Sequence, residues 1–438
     1  MQDHFYLLSE QLFGKLYQDE ILLCHFEGEA SDFIRFNHNK VRQAGNVIQQ
    51  TLSINLIKGN KQTSGHCELS GLIDNDLSLS TQILGSLRKQ LDLLPEDPYL
   101  NYSQEINNSE NNHLNALPET GEMLEQIQSS ADNLDLVGIL ANGTLYSGFT
   151  SSTGQRNWHS SKTFNFDWSC YHQTDKAVKK NYYGFEWKNT RLSTIMDETK
   201  EQLDILKTTP RKITPREYRV YLAPGALNEI LAMMSWGGFG LKSHRTSQTP
   251  LIKMVTENQL LNPAITLTEE NNRGLAAGFT GAGFVLPNNV ELISNGHYKN
   301  TLANARSAKE YNQIVNCDHE TPRSLNMSAG NIQNSELLNK LDTGIYINNL
   351  WYCNYSDHNN CKITGMTRFA CYWVEKGELQ APVNVMRFDD TIYNMLGSNL
   401  VGLSAEKELL FDPGTYHKRS TSSTSLPGAI VDNFKLTL

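Results

Sequence analysis

The stretch REYRVYLAPGALNEILAMMSWGGFG, residues Arg216–Gly240, decides how the chain is read. Tyr218, Val220 and Leu222 alternate with Arg219 and Tyr221, a period of two that predicts a strand with one buried face over Tyr218–Ala223. Pro224 and Gly225 stop that strand with a turn. Beyond it Leu227, Ile230, Leu231 and Met234 fall at i, i+3, i+4 and i+7. That spacing predicts a helix packed on this stripe, with Asn228, Glu229, Ala232 and Met233 on its other faces and Glu229 at an exposed position. Gly237 and Gly238 end the helix. A strand feeding a helix is a common mount for catalytic groups, but the residue types here form no catalytic set.

Toward the amino terminus the same two periodicities recur. Phe5, Leu8, Leu12 and Leu16 predict a helix, and Ile21–Phe26 and Phe33–Asn37 short strands. Ile48, Leu52, Ile54 and Leu56 share one parity against Gln49, Thr51, Ser53 and Asn55, the pattern of a half-buried antiparallel strand. Lys58-Gly59-Asn60-Lys61 turns it back into Gln62–Leu69, and Ile83, Leu84, Leu87, Leu91 and Leu94 mark a helix closed by Pro95. After a polar stretch rich in Asn, Ser and Glu comes a second round. It holds a helix through Met123, Leu124, Ile127 and Ala131, a hairpin turning at Asn142-Gly143, a strand through Phe164, Phe166 and Trp168, and a long helix from Leu192 to Leu206. Two such rounds point to a structural duplication.

Beyond Gly240 short strands alternate with Gly and Asn turns, as at Val290–Ile293, Gly344–Leu350 and Cys371–Glu375. The expected class is α+β. Helix and antiparallel-strand repeats form a mixed α/β amino-terminal region, and an antiparallel sheet-rich domain closes the chain. The expected division is an amino-terminal α+β domain at 1–95, a polar linker or mobile loop at 96–118, a central α+β segment at 119–210 and a carboxy-terminal domain at 211–438.

The chain has 438 residues, 39% of them hydrophobic, and no apolar run of about 18 or more, which excludes a membrane-spanning helix. MQDHFYLLSEQLF lacks the basic start of a secretory signal, so a cytoplasmic location is expected. Seven widely spread cysteines do not form a secreted disulfide framework, and reduced thiols are expected. A net charge of -9 without a Lys/Arg run argues against a duplex nucleic-acid partner.

Four groups of residues are candidates for chemistry. CNYSDHNNC places Cys353, Asp357, His358 and Cys361 ahead of Cys371, types that bind zinc, although the same pattern suits buried small thiols and a surface imidazole. His244 with Arg245, and His417 with Lys418 and Arg419, have no nucleophile and acid at a recognisable offset. The Gly-rich runs at Gly274–Gly278 and Gly281–Gly283 lack the Lys and Ser/Thr of a phosphate loop and read as turns or close contacts. The strand-like ITGMTRFACYWV, Ile363–Val374, would bind an extended peptide if it lies at a sheet edge, with Gly365, Thr367, Arg368 and Phe369 as substrate contacts, and is otherwise a core strand.

Several long segments carry a resemblance: FIRFNHNKVRQ, FTGAGFVLPNNVELISNGHYKNTLANARSAKEY (Phe279–Tyr311), TPRSLNMSAGN (Thr321–Asn331) and ITGMTRFACYWVEKGELQAPV (Ile363–Val383). They are similar to the TldD/TldE family, whose TldE branch is also called PmbA. The resemblance implies a two-subunit cytosolic metalloprotease whose TldD-type chains bind a zinc-type metal through HExxxH and a Cys near the carboxy terminus. In this chain the corresponding window is NEILAM, with Asn228 and Met233 at the imidazole positions and Glu229 at that of the general base. The tail FDPGTYHKRSTSSTSLPG has no Cys. The implied role is that of a TldE-like subunit with no catalytic residue, no metal and no cofactor of its own. It would complete the substrate channel for small or unfolded peptides beside an HExxxH-bearing partner, without nucleic acid or membrane. The alternatives are a stand-alone peptide-binding scaffold, as a homodimer, and a hydrolase built on Cys353, His358 and Cys361.

Overall fold

The computed structural model describes residues 1–173 and 176–438. Helix α1 (Gln2–Phe13) buries Phe5, Leu8 and Leu12, and is followed by β1 (Ile21–Asn37), β2 (Lys40–Lys58), β3 (Lys61–Glu68) and α2 (Ile73–Leu91). After β4 (Ser109–His113) come α3 (Thr120–Ser130), β5 (Asp135–Ser151), β6 (Arg156–Gln173), β7 (Lys176–Gly184) and α4 (Asn189–Leu206). The chain thus runs twice through a helix, three antiparallel strands and a helix. The two rounds share one seven-stranded sheet, joined through β1 and β5, which pair from Leu23 opposite Ser151 to Phe36 opposite Gly138. The duplication read from the sequence is therefore present in the topology.

Three local expectations differ from the structure. Asn142-Gly143 is no hairpin turn: β5 runs straight through it, and a Cβ on Gly143 would lie 2.1 Å from the Ala30 carbonyl oxygen, so glycine is there for close strand approach. Ile48 is 68% exposed, because β3 pairs only with the Thr51–Lys58 half of β2. The stretch 96–118 carries β4, which pairs in parallel with β6, and it buries Leu100 and Leu117. Asn101 and Asp97 in the same stretch bond to Ala305 and Arg306 of the carboxy-terminal half.

In the carboxy-terminal half β8 (Arg216–Leu222) leads into α5 (Pro224–Gly238). The strands β9 (Leu267–Glu270), β10 (Asn289–Ser294), β11 (His297–Tyr298), β12 (Ser324–Met327), β13 (Gly344–Asp357), β14 (Lys362–Glu375), β15 (Glu378–Pro382), β16 (Arg387–Thr391), β17 (Leu400–Phe411) and β18 (Ser423–Leu436) follow. With β8 they form an eleven-stranded, mostly antiparallel sheet, so the α+β class holds. Five strands close into a ring, because β18 pairs both with β16, which continues to β14 and β13, and with β8, which continues to β13 from the other side. The apolar stripe of α5 packs in the main core beside this ring: Leu227, Ile230, Leu231 and Met234 are all buried there with Val220, Ile345 and Val431.

The two sheets are tied together. Tyr372 donates through its hydroxyl to the Gln202 carbonyl at 2.9 Å, and Asn348 Nδ2 donates to the Lys179 carbonyl at 3.0 Å. The segment after β17 returns to the first sheet, where Arg419 and Glu29 form an ion pair at 3.1 Å with both side chains 1% exposed. Among the described residues no helix is long and apolar enough to cross a membrane.

Candidate functional site

Strand β8 delivers the chain to α5 with Ala223 extended and Pro224 at the first helical position, where its missing N–H costs no hydrogen bond and its fixed φ already suits a helix. The first turns of α5 then face a cavity of about 620 Å³ between the two sheets. That size is within the range of small-ligand sites, ~300–1,000 Å³. Its walls come from far-separated elements: Lys179 and Lys180 of β7, Arg191, Glu198 and Gln202 of α4, Tyr221 of β8, Asn228 and Glu229 of α5, Tyr346 of β13, and Glu406 and Glu408 of β17.

Of the three motif positions in α5, Asn228 and Glu229 line this cavity and Met233 does not. Met233 is 7% exposed and packs in the main core, and its carbonyl accepts from the Tyr355 hydroxyl. On a regular helix, residues five apart lie about 140° apart around the axis, and α5 departs from helical geometry only at Trp236 and Gly237. The two positions that the resemblance assigns to imidazoles therefore do not converge. An amide in the cavity and a thioether in the core do not fit a zinc-type ion, and among the described residues no group of three or more His, Cys, Asp or Glu is placed to hold a metal.

Glu229 is not at the exposed position expected of it. Burial raises its carboxyl above the ordinary range, and Lys179 opposes that rise. Elsewhere in the cavity Lys180 Nζ lies 3.2 Å from Glu198 Oε2, and the Tyr221 and Tyr346 rings stand 5.3 Å apart. Asp167 accepts from the Tyr183 hydroxyl, yet burial pushes its carboxyl up to about 6. Glu408 is exposed on β17, yet desolvation by the cavity walls raises its carboxyl against the pull of Lys180 and Arg191.

Strand β14 is not a sheet edge. It pairs with β13 on one side and with β16 and β15 on the other, and the Thr367 and Cys371 backbones between those two are engaged by Met386 and Val383. Gly365 packs inward, where a Cβ would meet the Phe388 ring at 2.7 Å and Cys353 Sγ at 2.8 Å. Thr367 is 2% exposed, and its hydroxyl accepts from the Met386 N–H at 2.9 Å. Arg368 and Phe369 face outward: the Arg368 guanidinium stacks 4.1 Å over Trp351, and the Phe369 ring lies 5.6 Å from Nζ of the cavity residue Lys179.

The remaining candidates take structural places. Cys353, Cys361 and Cys371 lie in the β13–β14 hairpin, and burial pushes all three thiols up to about 12, far from the thiolate form that binds metal or attacks. Asp357 bonds to Asn360, and the His358 ring leans on Tyr355. A hydrogen bond at 3.0 Å joins His244 Nε2 and the Gly238 carbonyl at the end of α5. Lys418 and Arg419 pair with Glu27 and Glu29, while the His417 carbonyl accepts from Gln49. Gly274 and Gly283 hold positive φ, as turns require.

Residues 215–438 match the family described as PmbA/TldA metallopeptidase C-terminal domain. No curated protein matches the sequence. Among solved structures, a candidate modulator of a DNA gyrase from Thermotoga maritima is similar at a TM-score of 0.79 and 13% identity, over 99% of this chain and 100% of that one. TldE from Thermococcus kodakarensis is similar at 0.75 and 14% identity, over 98% and 100%. A candidate modulator of DNA gyrase from Bacteroides thetaiotaomicron gives 0.74 and 13%, over 99% and 98%.

Proposed function

Because the chain belongs to the PmbA/TldA metallopeptidase family, we propose that it is the non-metal-binding subunit of a two-subunit, TldD/TldE-type peptidase of the cytoplasm. In this reading it is inactive alone and helps to form the channel through which small or unfolded peptides reach a partner that carries HExxxH and a zinc-type metal. The observation that carries it is the division of α5: Asn228 and Glu229 face the cavity while Met233 is packed in the core. A carboxylate without a metal-bound water beside it has little to activate. One of the chains with a similar fold is itself a TldE. Arg368 and Phe369 would border the mouth of the channel, while Gly365 and Thr367 would shape the strand behind them.

The test is purification of the chain alone and with an HExxxH-bearing homologue from the same genome, followed by metal analysis and an unfolded-peptide assay. The lone chain is expected to carry no stoichiometric metal and to leave peptide intact, and the pair to co-purify and cleave. Stoichiometric metal and cleavage by the lone chain would refute the reading. A second reading, a homodimeric peptide-binding scaffold, draws on the cavity being complete within one chain. Absence of any such partner would favour it.

A further inference from the structure

The charges that line the cavity do not cancel. Lys180 is engaged by Glu198 at 3.2 Å, and Glu406 accepts from Asn334 Nδ2 at 2.8 Å. The carboxylates of Glu229 and Glu408 make no hydrogen bond or ion pair among the described residues, although both face the same space. Gln202 lies on that wall only 8% exposed, and its Oε1 is buried without a partner. A buried acceptor left unpaired costs ~1–3 kcal/mol, so this oxygen marks a place where a donor from a ligand would be stabilising. The rings of Tyr221 and Tyr346 complete the pocket, 5.3 Å apart and close enough to Glu408 to feel its charge.

We propose that this cavity holds a cationic group of a peptide, a Lys or Arg side chain or a free amino terminus, against Glu408, with Gln202 Oε1 accepting one of its N–H groups and Tyr221 and Tyr346 packing along it. The proposal rests on the reading that the cavity handles peptide and gives that peptide a preferred charge. Aromatic faces beside a carboxylate suit an ammonium or guanidinium and repel an anion. Of the cations on the walls, Lys180 is already paired with Glu198 and Lys179 lies over the Phe369 ring, while Lys180 and Arg191 act on Glu408 only at a distance and neither forms an ion pair with it among the described residues. Burial holds the Glu229 carboxyl above its ordinary range, and desolvation by the cavity walls raises Glu408 as well although that residue is exposed on β17, a state that an incoming cation relieves.

The experiment uses the purified full chain without a partner and calorimetric titration of three short peptides of identical backbone. One is blocked at both ends with a central Lys, one is blocked with norleucine in its place, and one has norleucine with a free amino terminus. The blocked Lys peptide is expected to bind about tenfold more tightly than the blocked norleucine peptide. Glu408→Gln is expected to erase that ratio while leaving the circular dichroism spectrum unchanged, and Gln202→Met to reduce it. A preference for the third peptide alone assigns the subsite to the amino terminus. Equal binding of all three, binding of none, or a ratio that survives Glu408→Gln would overturn the proposal. Partner co-purification is scored separately, so a chain that assembles without charge preference fails this inference and keeps the subunit reading, and the converse result does the reverse.

Discussion

Replacing Arg419 by Met tests whether the return of the tail to the first sheet holds the two halves together. The Arg419 side chain is 1% exposed, and its Nε donates to Glu29 Oε1 at 3.1 Å. Its Nη1 donates to the Thr163 carbonyl at 3.1 Å and to the Thr163 hydroxyl at 3.2 Å, while Nη2 has no partner. Methionine fills most of the same volume but leaves the Glu29 carboxylate buried, with only the Arg419 backbone N–H at 3.1 Å and Gln49 Nε2 at 3.2 Å. Removing one partner of a buried pair costs about 3–5 kcal/mol, mostly from the uncompensated charge. The double change Glu29→Gln with Arg419→Met removes both charges and should recover all but about 1–2 kcal/mol of that loss. Urea denaturation followed by tryptophan fluorescence gives the stabilities, and limited proteolysis of residues 412–422 reports the tail directly. A single variant costing under about 1 kcal/mol, or a double variant no more stable than the single one, would refute the compensating-pair account.

Three further outcomes are expected. Asn228→His with Met233→His recreates the letters of an HExxxH motif but should give no zinc binding tighter than about micromolar in a competition assay with a fluorescent chelator, because the second imidazole enters the core and the thiolate is missing; nanomolar binding would show that α5 can present both positions. Asp167→Asn should gain stability relative to the native chain between pH 4 and pH 7. The folded carboxyl sits at about 6 against an ordinary 3.8, so the folded state binds more protons than the unfolded one in that window, and native stability falls by roughly 2–3 kcal/mol as pH rises through it; a flat difference across this range in thermal unfolding would contradict the burial argument. Gly143→Ala forces a methyl to within 2.1 Å of the Ala30 carbonyl and should destabilise by at least about 2–3 kcal/mol, whereas Gly59→Ala at the hairpin, with nothing within 4 Å, should cost about 1 kcal/mol from its positive φ alone.

Where a residue's burial follows from local periodicity, the sequence predicted the structure well. Phe5, Leu8 and Leu12, the β8 alternation and the Leu227–Met234 stripe each bury one face of one element, so spacing along the chain reports position in space. Asn142-Gly143 failed because the same dipeptide serves a type I′ turn and a close approach of strands, and only the neighbouring β1 backbone distinguishes them. The local pattern of β14 suits an edge and a core strand alike, because its partners β15 and β16 lie beyond it in sequence, where no local signal reveals the pairing. The site divides in the same way. Asn228 and Glu229 share one helix and could be read together, whereas Lys180, Gln202, Tyr346 and Glu408 come from four elements that only the packing of two sheets brings to one cavity. Nor could the unsatisfied Gln202 oxygen be seen before its helix was docked.

The core packing of α5 bears directly on what the cavity can do. Two imidazoles five residues apart can meet at one ion only if the helix is locally distorted or one side chain reaches around it. Here Leu227, Ile230, Leu231 and Met234 bind the helix to the core over that whole span, and Met233 adds a further buried contact on the adjoining face. Any distortion that brought residue 233 to the cavity would withdraw this packing. A fully buried Met or Leu is worth ~1.5–3 kcal/mol against exposure, so the regular helix is strongly held and residue 233 stays inside. What remains for the cavity is the polar edge of the helix, an amide and a carboxylate of raised pKa, in a space that Glu408 of β17 also lines. Such a surface lacks the ligands to polarise a peptide bond through a metal, and its unpaired carboxylates are the feature on which the proposed cation site rests.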